Sequence, residues 1–301
     1  MNNLYLKFYK GFYLQTGGYL PSKPLGQSLY PGDFFQIKNG EMILLGNIFR
    51  KSIIEPEDAT IEYGQKLNSA SWNFNEGVSK PYSGRGAGNN PIEGAFEFGK
   101  QVLRFKNAGS YIFDGENPES IKISNWNEIQ QALIIKLTQT LYSFRELYLV
   151  TECVTTSSWT LAIAGNKNAE LEIAIENENF GLADIFGESG TKTIQSKDIE
   201  YYNRTEKRIP NFFKAKKLVV NQDKEEVFIS DLNQNLEYHS KWAGQFFDYD
   251  FSESEFKSSH WNNNSLNTIV LDMLQANQLN PNTALQFFSW SDLNLDDIYK
   301  L

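Results

Sequence analysis

Residues Ala169-Glu170-Leu171-Glu172-Ile173-Ala174-Ile175-Glu176 alternate apolar and carboxylate side chains with a period of two. Extended backbone sends successive side chains to opposite sides, so 169, 171, 173 and 175 form a dry face and 170, 172 and 176 a wet one. This favours antiparallel sheet, because parallel strands are covered on both faces. Joined to Trp159–Ala164 through Gly165-Asn166-Lys167-Asn168, the segment reads as an amphipathic hairpin. Such a hairpin is either the half-buried edge of a soluble sheet or a pair that later enters a membrane barrel, with one face to lipid and one to a watery lumen. Phe180–Phe186, a short apolar turn or helix, could cover the edge, which otherwise invites pairing.

The same strand-and-turn logic runs through the chain. Leu29-Tyr30-Pro31-Gly32-Asp33 is a turn signal closing an aromatic, Gly/Pro-punctuated start. Phe34–Lys38 and Met42–Leu45 flank Asn39-Gly40, which supplies the positive φ angles of a tight hairpin. Ala70–Asn75 is a strand around Trp72. Ser83-Gly84-Arg85-Gly86-Ala87-Gly88-Asn89-Asn90-Pro91 lacks the Lys-Ser/Thr ending of a phosphate-binding loop and reads as a loop between strands. A meander follows (Ile92–Phe98, Gln101–Phe105, Ser110–Phe113, Ile121–Ile123), with a turn or bulge at Gly99, where the apolar parity switches. One helix stands out: Asn125 with Glu128 three residues on starts it, and Ile129, Leu133, Leu137 and Leu141 form its stripe. Strands then recur at Leu147–Val154, Thr191–Tyr202 and Phe212–Val220, an α+β pattern.

Charge divides the chain. Residues 221–301 hold 4 Lys/Arg against 13 Asp/Glu, which accounts for the whole net charge of −9; the first 220 residues balance. The balanced part ends in a basic cluster, Arg204, Lys207, Arg208, Lys214, Lys216 and Lys217, which an acidic tail could cover and later vacate. The plain alternative is a solvated acidic face without a partner. Asp248–Asn267 is rich in Ser, Asn and acid and reads as linker. Beyond it, Leu266, Ile269, Val270, Met273 and Leu274 make a helical stripe, followed by Leu285, Phe287, Phe288, Trp290, Leu293, Leu295, Ile298 and Tyr299. A piece of roughly 40 residues cannot build a core alone without metal or disulfide, so these faces must dock on the body or on another chain.

Several chemistries are excluded. One cysteine and two histidines cannot make a Cys/His zinc site, and Cys153 in its apolar run is expected to be a small buried hydrophobe. No nucleophile elbow, His-Glu-x-x-His or Cys-x-x-Cys is present, so no enzyme activity and no cofactor are expected. A neutral body with an acidic tail argues against nucleic acid. Exposed Trp72 or Trp159 could bind sugars, although aromatic residues more often fill cores. No apolar run reaches the roughly 18 residues of a spanning helix, and the start lacks the order of a secretion signal, so a cytoplasmic location is expected.

The run Leu147-Tyr148-Leu149-Val150-Thr151-Glu152-Cys153-Val154, followed by Trp159-Thr160-Leu161-Ala162-Ile163-Ala164, resembles a segment of the gasdermin pore-forming domain. Further pieces fall in matching order: Gly18-Tyr19-Leu20-Pro21, Tyr30-Pro31-Gly32-Asp33, Leu45-Gly46-Asn47-Ile48, Gly109-Ser110-Tyr111-Ile112-Phe113 and Pro210-Asn211-Phe212-Phe213-Lys214-Ala215-Lys216-Lys217-Leu218. The likeness spans roughly residues 10–220, and the short tail is similar to that of bacterial-type members.

With the residue-level reading, the resemblance implies an α+β fold: a strongly twisted, mostly antiparallel central sheet, packed helices and a short C-terminal helical tail. It implies a pore-forming domain at 1–247, a protease-sensitive linker at 248–264 and an autoinhibitory helical segment at 265–301. A caspase-like or trypsin-like protease would remove that segment, and the body would pass from the cytoplasm to the inner membrane, self-associate into a β-barrel pore and kill the cell in defence against phage. The inserting hairpins would be about 92–106 and 159–176, through Phe96, Phe98, Val102, Leu161, Ile163, Leu171, Ile173 and Ile175. Arg204, Lys207, Arg208, Lys214, Lys216 and Lys217 would meet lipid headgroups, and Leu266, Ile269, Val270, Leu274, Phe287 and Phe288 would make the inhibitory contacts. Bacterial relatives commonly carry an acylated cysteine near the N-terminus; this chain has none there, which leaves Phe8, Tyr9, Phe12 and Tyr13 as candidate anchors.

Overall fold

The computed structural model describes residues 3–90, 94–137, 147–175, 184–221, 223 and 281–301. In chain order the elements are α1 (Asn3–Thr16), β1 (Leu20–Pro21), β2 (Asp33–Lys38), β3 (Glu41–Asn47), β4 (Ile61–Lys66), β5 (Ser71–Glu76), β6 (Val78–Asn90), β7 (Gly94–Phe105), β8 (Tyr111–Glu116), β9 (Glu119–Ile123) and α2 (Trp126–Leu137). Then come β10 (Leu147–Thr155), β11 (Ser158–Ala164), β12 (Ala169–Ile175), β13 (Lys192–Lys197), β14 (Ile199–Thr205), β15 (Pro210–Val220), α3 (Pro281–Phe287), β16 (Phe288–Asp292) and α4 (Leu295–Ile298). The class is α+β, with antiparallel pairing throughout the described sheets, packed helices and a helix near the C-terminal end.

Three sheets share the strands. The largest runs β1-β15-β10-β2-β3, with β16 added to β15 and β4–β9 added to β10. A second is β14-β11-β8-β5 and a third β13-β12-β7-β6. Strand β11 of the second sheet is buried on both faces. In β11, Leu161 and Ile163 join Phe8, Phe12, Tyr111 and Phe113 in one cluster, while Ala162 and Ala164 join Leu103, Phe105, Leu171 and Ile173 in another. Alanines on that second face leave room for the third sheet to pack closely. A separate cluster holds α2, through Ile129, Leu133, Ile134 and Leu137, against Leu147, Leu149 and Leu218.

The hairpin at 34–45 forms as the Asn39-Gly40 pair requires, with φ of 53° and 80° at these two residues. The Asn125 start signal also holds. Its side chain bonds Glu128 Oε2 at 3.0 Å and ties the helix start to the chain at Asp58 and Thr60. Leu141, like residues 180–183 of the apolar turn and the strand at 227–229, lies outside the described residues.

Five expectations are corrected. Asn3–Thr16 is a helix, and Phe8, Tyr9 and Phe12 are buried in the core, so they are not surface anchors. Ser83–Asn90 is strand, part of β6, held in register by β7. Gly99 interrupts nothing: Gly99, Gln101, Leu103 and Phe105 continue one inward parity, and the register shift falls on the β6 side, between Ser79 and Tyr82. Finally, β11 and β12 are not a hairpin. Residues 165–168 carry the chain from the second sheet to the third, where β12 pairs with β7 and β13. The run 191–202 likewise splits at Asp198 (φ 57°) into strands of different sheets.

Candidate functional site

In the tail, Phe288-Ser289-Trp290-Ser291-Asp292 has a period of two, and it is a strand where a helix was expected. This β16 pairs antiparallel with β15, from Lys216 opposite Asp292 to Val220 opposite Phe288. Because β10 holds the other edge of β15, β16 extends the edge that β1 begins at Phe212 and Phe213. The pairing is closed at both ends: Leu293 N donates to Ala215 O at 3.0 Å, and Asn221 N donates to Phe287 O at 2.7 Å. Without β16, the backbone groups of 216–220 would be an open edge, which is a template for another strand.

Side chains bind the tail on both faces of that edge. On one, Phe287, Phe288 and Ala284 are buried with Leu218, and the Trp290 ring meets Trp126 edge-on at 5.4 Å while its indole donates to Gln130 O at 3.0 Å. On the other, Leu293, Ile298 and Leu301 enter the cluster of Tyr148 and Phe213. Helix α1 adds Tyr13 Oη to Leu293 O at 3.2 Å and the Lys10 ammonium on Tyr299, and Lys23 donates to the Leu301 carbonyl.

Asp297 is the polar centre of this face. Asn294 caps α4 by accepting from the Asp296 and Asp297 amides, and Asp297 Oδ2 accepts from Asn294 N at 3.2 Å. Its other oxygen accepts from Tyr148 Oη at 2.8 Å and from Lys217 Nζ at 2.9 Å, with only 3 % of the side chain exposed. Burial pushes this carboxyl up, yet the bonds from Lys217, Tyr148 and Asn294 together hold it below the usual carboxylate value. Nothing in the sequence joins Tyr148 to Asp297; only the fold brings them together.

The six cations read as one cluster do not form one patch. Lys216 reaches Asp292 at 2.6 Å and lies over Trp126, whereas Lys217, on the opposite face of β15, reaches Asp297 and the Tyr148 ring. Arg204 pairs with Glu206 at 3.0 Å and Arg208 with Glu119 at 2.7 Å. Lys214 sits over Tyr19, 4.2 Å from the ring centre. For Lys207, no ion pair is found among the described residues.

The apolar residues proposed to insert are also divided. Leu161 and Ile163 face α1; Leu171, Ile173 and Ile175 face the second sheet. Phe98 and Val102 stand on the outer face of β7, with Lys100 and Arg104, which pair with Glu172 at 2.6 Å and Glu170 at 2.7 Å. Phe96 lies opposite Gly88 on the same strand. Phe287 and Phe288 are buried; Leu266, Ile269, Val270 and Leu274, with the linker 248–264, lie outside the described residues. Trp72 and Trp159 are buried, contrary to the exposure that sugar stacking would need.

No family model matches this chain, and no curated protein is similar to it. Several solved structures match at a distance, two gasdermins among them. The cryo-EM structure of the gasdermin A3 membrane pore has 13 % identity and a TM-score of 0.28, over 72 % of this chain and 90 % of that one. A bacterial gasdermin from Bradyrhizobium tropiciagri has 8 % identity and a TM-score of 0.25, over 67 % and 80 %. At these scores the likeness carries no argument about this chain.

Proposed function

We propose that this chain is an autoinhibited pore-forming protein whose C-terminal segment is a removable clamp. One observation carries the reading: the tail supplies β16 to the edge of β15 and, in the same few residues, neutralises Lys216 and Lys217 with Asp292 and Asp297. Cutting in the linker at 248–264 by a caspase-like or trypsin-like protease would free a segment whose loss opens a sheet edge and uncovers two cations. Both favour an anionic lipid surface and self-association.

Strands that enter lipid must close into a barrel, since every backbone group needs a partner there. A tilted spanning strand takes about 9–11 residues. Strands β6 and β7, of 13 and 12 residues, are long enough, whereas β12 and β13, of 7 and 6, would have to lengthen into 176–191. In such a barrel the face with Leu103, Phe105, Leu171, Ile173 and Ile175 turns to lipid. The paired Glu170–Arg104 and Glu172–Lys100 turn to the lumen and take Phe98 and Val102 with them. The inserting pairs are thus β6–β7 and β12–β13. Self-oligomers in the inner membrane, cell death and defence against phage belong to this same proposal.

Dye release from liposomes tests it. Full-length chain should leave vesicles of anionic lipid intact, and chain cut within 248–264 should empty them; equal, low leakage from both would refute the reading. The competing reading, a soluble β-rich interaction module, draws on the ion-paired outer face of the third sheet, which already suits water. It predicts a cut protein that stays monodisperse and ignores vesicles.

A further inference from the structure

Residues 184–191, which lead into β13, are seated on the second sheet over a buried carboxyl. Ile185 and Phe186 enter the apolar cluster between the second and third sheets. Past them, the backbone at Gly187 (φ 96°) lies against Asp114 of β8, so closely that a Cβ there would fall 2.7 Å from the Asp114 carboxyl carbon. A side chain has no room at this point, and the positive φ also suits glycine. Thr160 of β11 stands directly opposite Asp114 on one side and directly opposite Arg204 of β14 on the other, and opposed residues share a face. The Thr160 hydroxyl is buried without a hydrogen-bond partner among the described residues, so β11 gives the Asp114 carboxylate no donor. From β5, the Asn73 amide donates to Asp114 Oδ2 at 2.9 Å, in the orientation that satisfies both its ends.

The charges around Asp114 favour the neutral acid. Glu116 of β8 and Glu188 of the loop repel an ionised carboxylate. Two cations face it, but each is already engaged: Lys80 of β6 with Asp184, and Arg204 with Glu206 at 3.0 Å. Burial, then the two glutamates, push the Asp114 carboxyl up to about 6. Arg204 also ties the loop down by donating to the Glu188 carbonyl, and Ser189 Oγ donates to Glu206 at 3.1 Å.

We propose that residues 187–191 form a pH-operated latch, seated on the second sheet while Asp114 is protonated and loosened once it ionises. An ionised Asp114 lies buried beneath the Gly187 backbone, beside Glu188 and without a donor from Thr160; lifting the loop lets water reach it. Because the seated form has the higher pKa, the latch is tightest in acid and weakens as pH rises through about 6. In the pore reading β12 and β13 lengthen into 176–191, so acid would oppose that step and neutral pH would permit it. This consequence rests on that reading, whereas the latch itself is a property of the intact chain.

Amide hydrogen exchange tests it, followed by NMR on intact full-length protein at about pH 7.5 and about pH 5.5 and corrected for intrinsic rates. The Glu188 and Thr191 amides, which donate to Ile185 O and Glu188 O, report on the latch. Their corrected exchange should slow about threefold between the higher and the lower pH. Asp114→Asn, neutral at both, should exchange about tenfold more slowly than wild type at the higher pH and show no pH response. Glu188→Gln, which removes one repelling carboxylate, should shrink the response, and Thr160→Val should leave it intact. Exchange independent of pH in wild type, a response retained by Asp114→Asn, or an equal change at the amides of β10 would overturn the proposal.

Discussion

Tyr148 and Asp297, 149 residues apart, share a hydrogen bond of 2.8 Å that ties a central strand of the largest sheet to the last helix of the chain. Lys217 reaches the same carboxylate oxygen from the neighbouring strand, so three elements meet on one atom. The tail is therefore held by a specific buried polar contact as well as by apolar area.

Asp297→Asn removes the charge facing Lys217 and should cost the docked tail about 2 kcal/mol, since a half-buried cation then lacks its counter-charge. Tyr148→Phe should cost about 1 kcal/mol, the worth of one hydrogen bond. Amide hydrogen exchange across 288–292 checks both: exchange should quicken there in the order wild type, Tyr148→Phe, Asp297→Asn.

The pH response of this contact has a definite sign. The folded-state pKa of Asp297 lies below its ordinary value, so its contribution is present above about pH 4 and disappears only as pH falls through the depressed value. Protection of 288–292 should thus be constant from pH 7 to 5. Loss of protection in that interval would contradict the assignment.

Asp114 behaves in the opposite sense. Burial first, then Glu116 and Glu188, push its carboxyl up to about 6, against Lys80 and Arg204. The fold favours the protonated acid, so the stability it lends is present below about pH 4 and is lost as pH rises through about 6. Asp114→Asn should match wild type in Tm near pH 3.5 and exceed it by pH 7, by an amount worth about 1 kcal/mol after solvent screening.

Gly11 faces the ring of Tyr111 so closely that an added Cβ would fall inside the tyrosine hydroxyl. Gly11→Ala should destabilise by about 1–3 kcal/mol, through overpacking in a site where Tyr111 is buried and cannot swing away. Chemical unfolding of Gly11→Ala and of Gly11→Ala/Tyr111→Phe checks this; the double variant should recover part of the loss.

Legibility in the sequence followed local chemistry. The alternation at 169–176, the Asn39-Gly40 turn and the stripe of α2 each fix their own conformation, and Cys153 is the buried hydrophobe its setting implied, its thiol pushed up to about 12 by burial. What stayed hidden is decided by partners far along the chain. Helix α1 is concealed by Gly11 and by aromatic residues such as Tyr5, Phe8, Tyr9, Phe12 and Tyr13, which read as punctuated coil until a core surrounds them. The glycines of β6 have no strand preference, and their pairing with β7 supplies it. The step from β11 to β12 between two sheets looks in sequence like a hairpin, because both strands present an apolar face and the connection is short. In the tail, 288–292 read as part of a helical segment because its alternation is short and lies among helical stripes, and the Asp297 contact with Tyr148 and Lys217 has no sequence signature.

If the chain is the autoinhibited pore-former proposed above, strand β16 must leave the edge of β15 before the body can insert. Val219 and Ser289 face each other across that pair, and antiparallel partners are close enough for a disulfide. Full-length Val219→Cys/Ser289→Cys protein, cut within 248–264 and oxidised, is predicted to leave dye-loaded anionic vesicles intact and to empty them once a reductant opens the bond. Equal leakage before and after reduction would contradict a tail that must undock first.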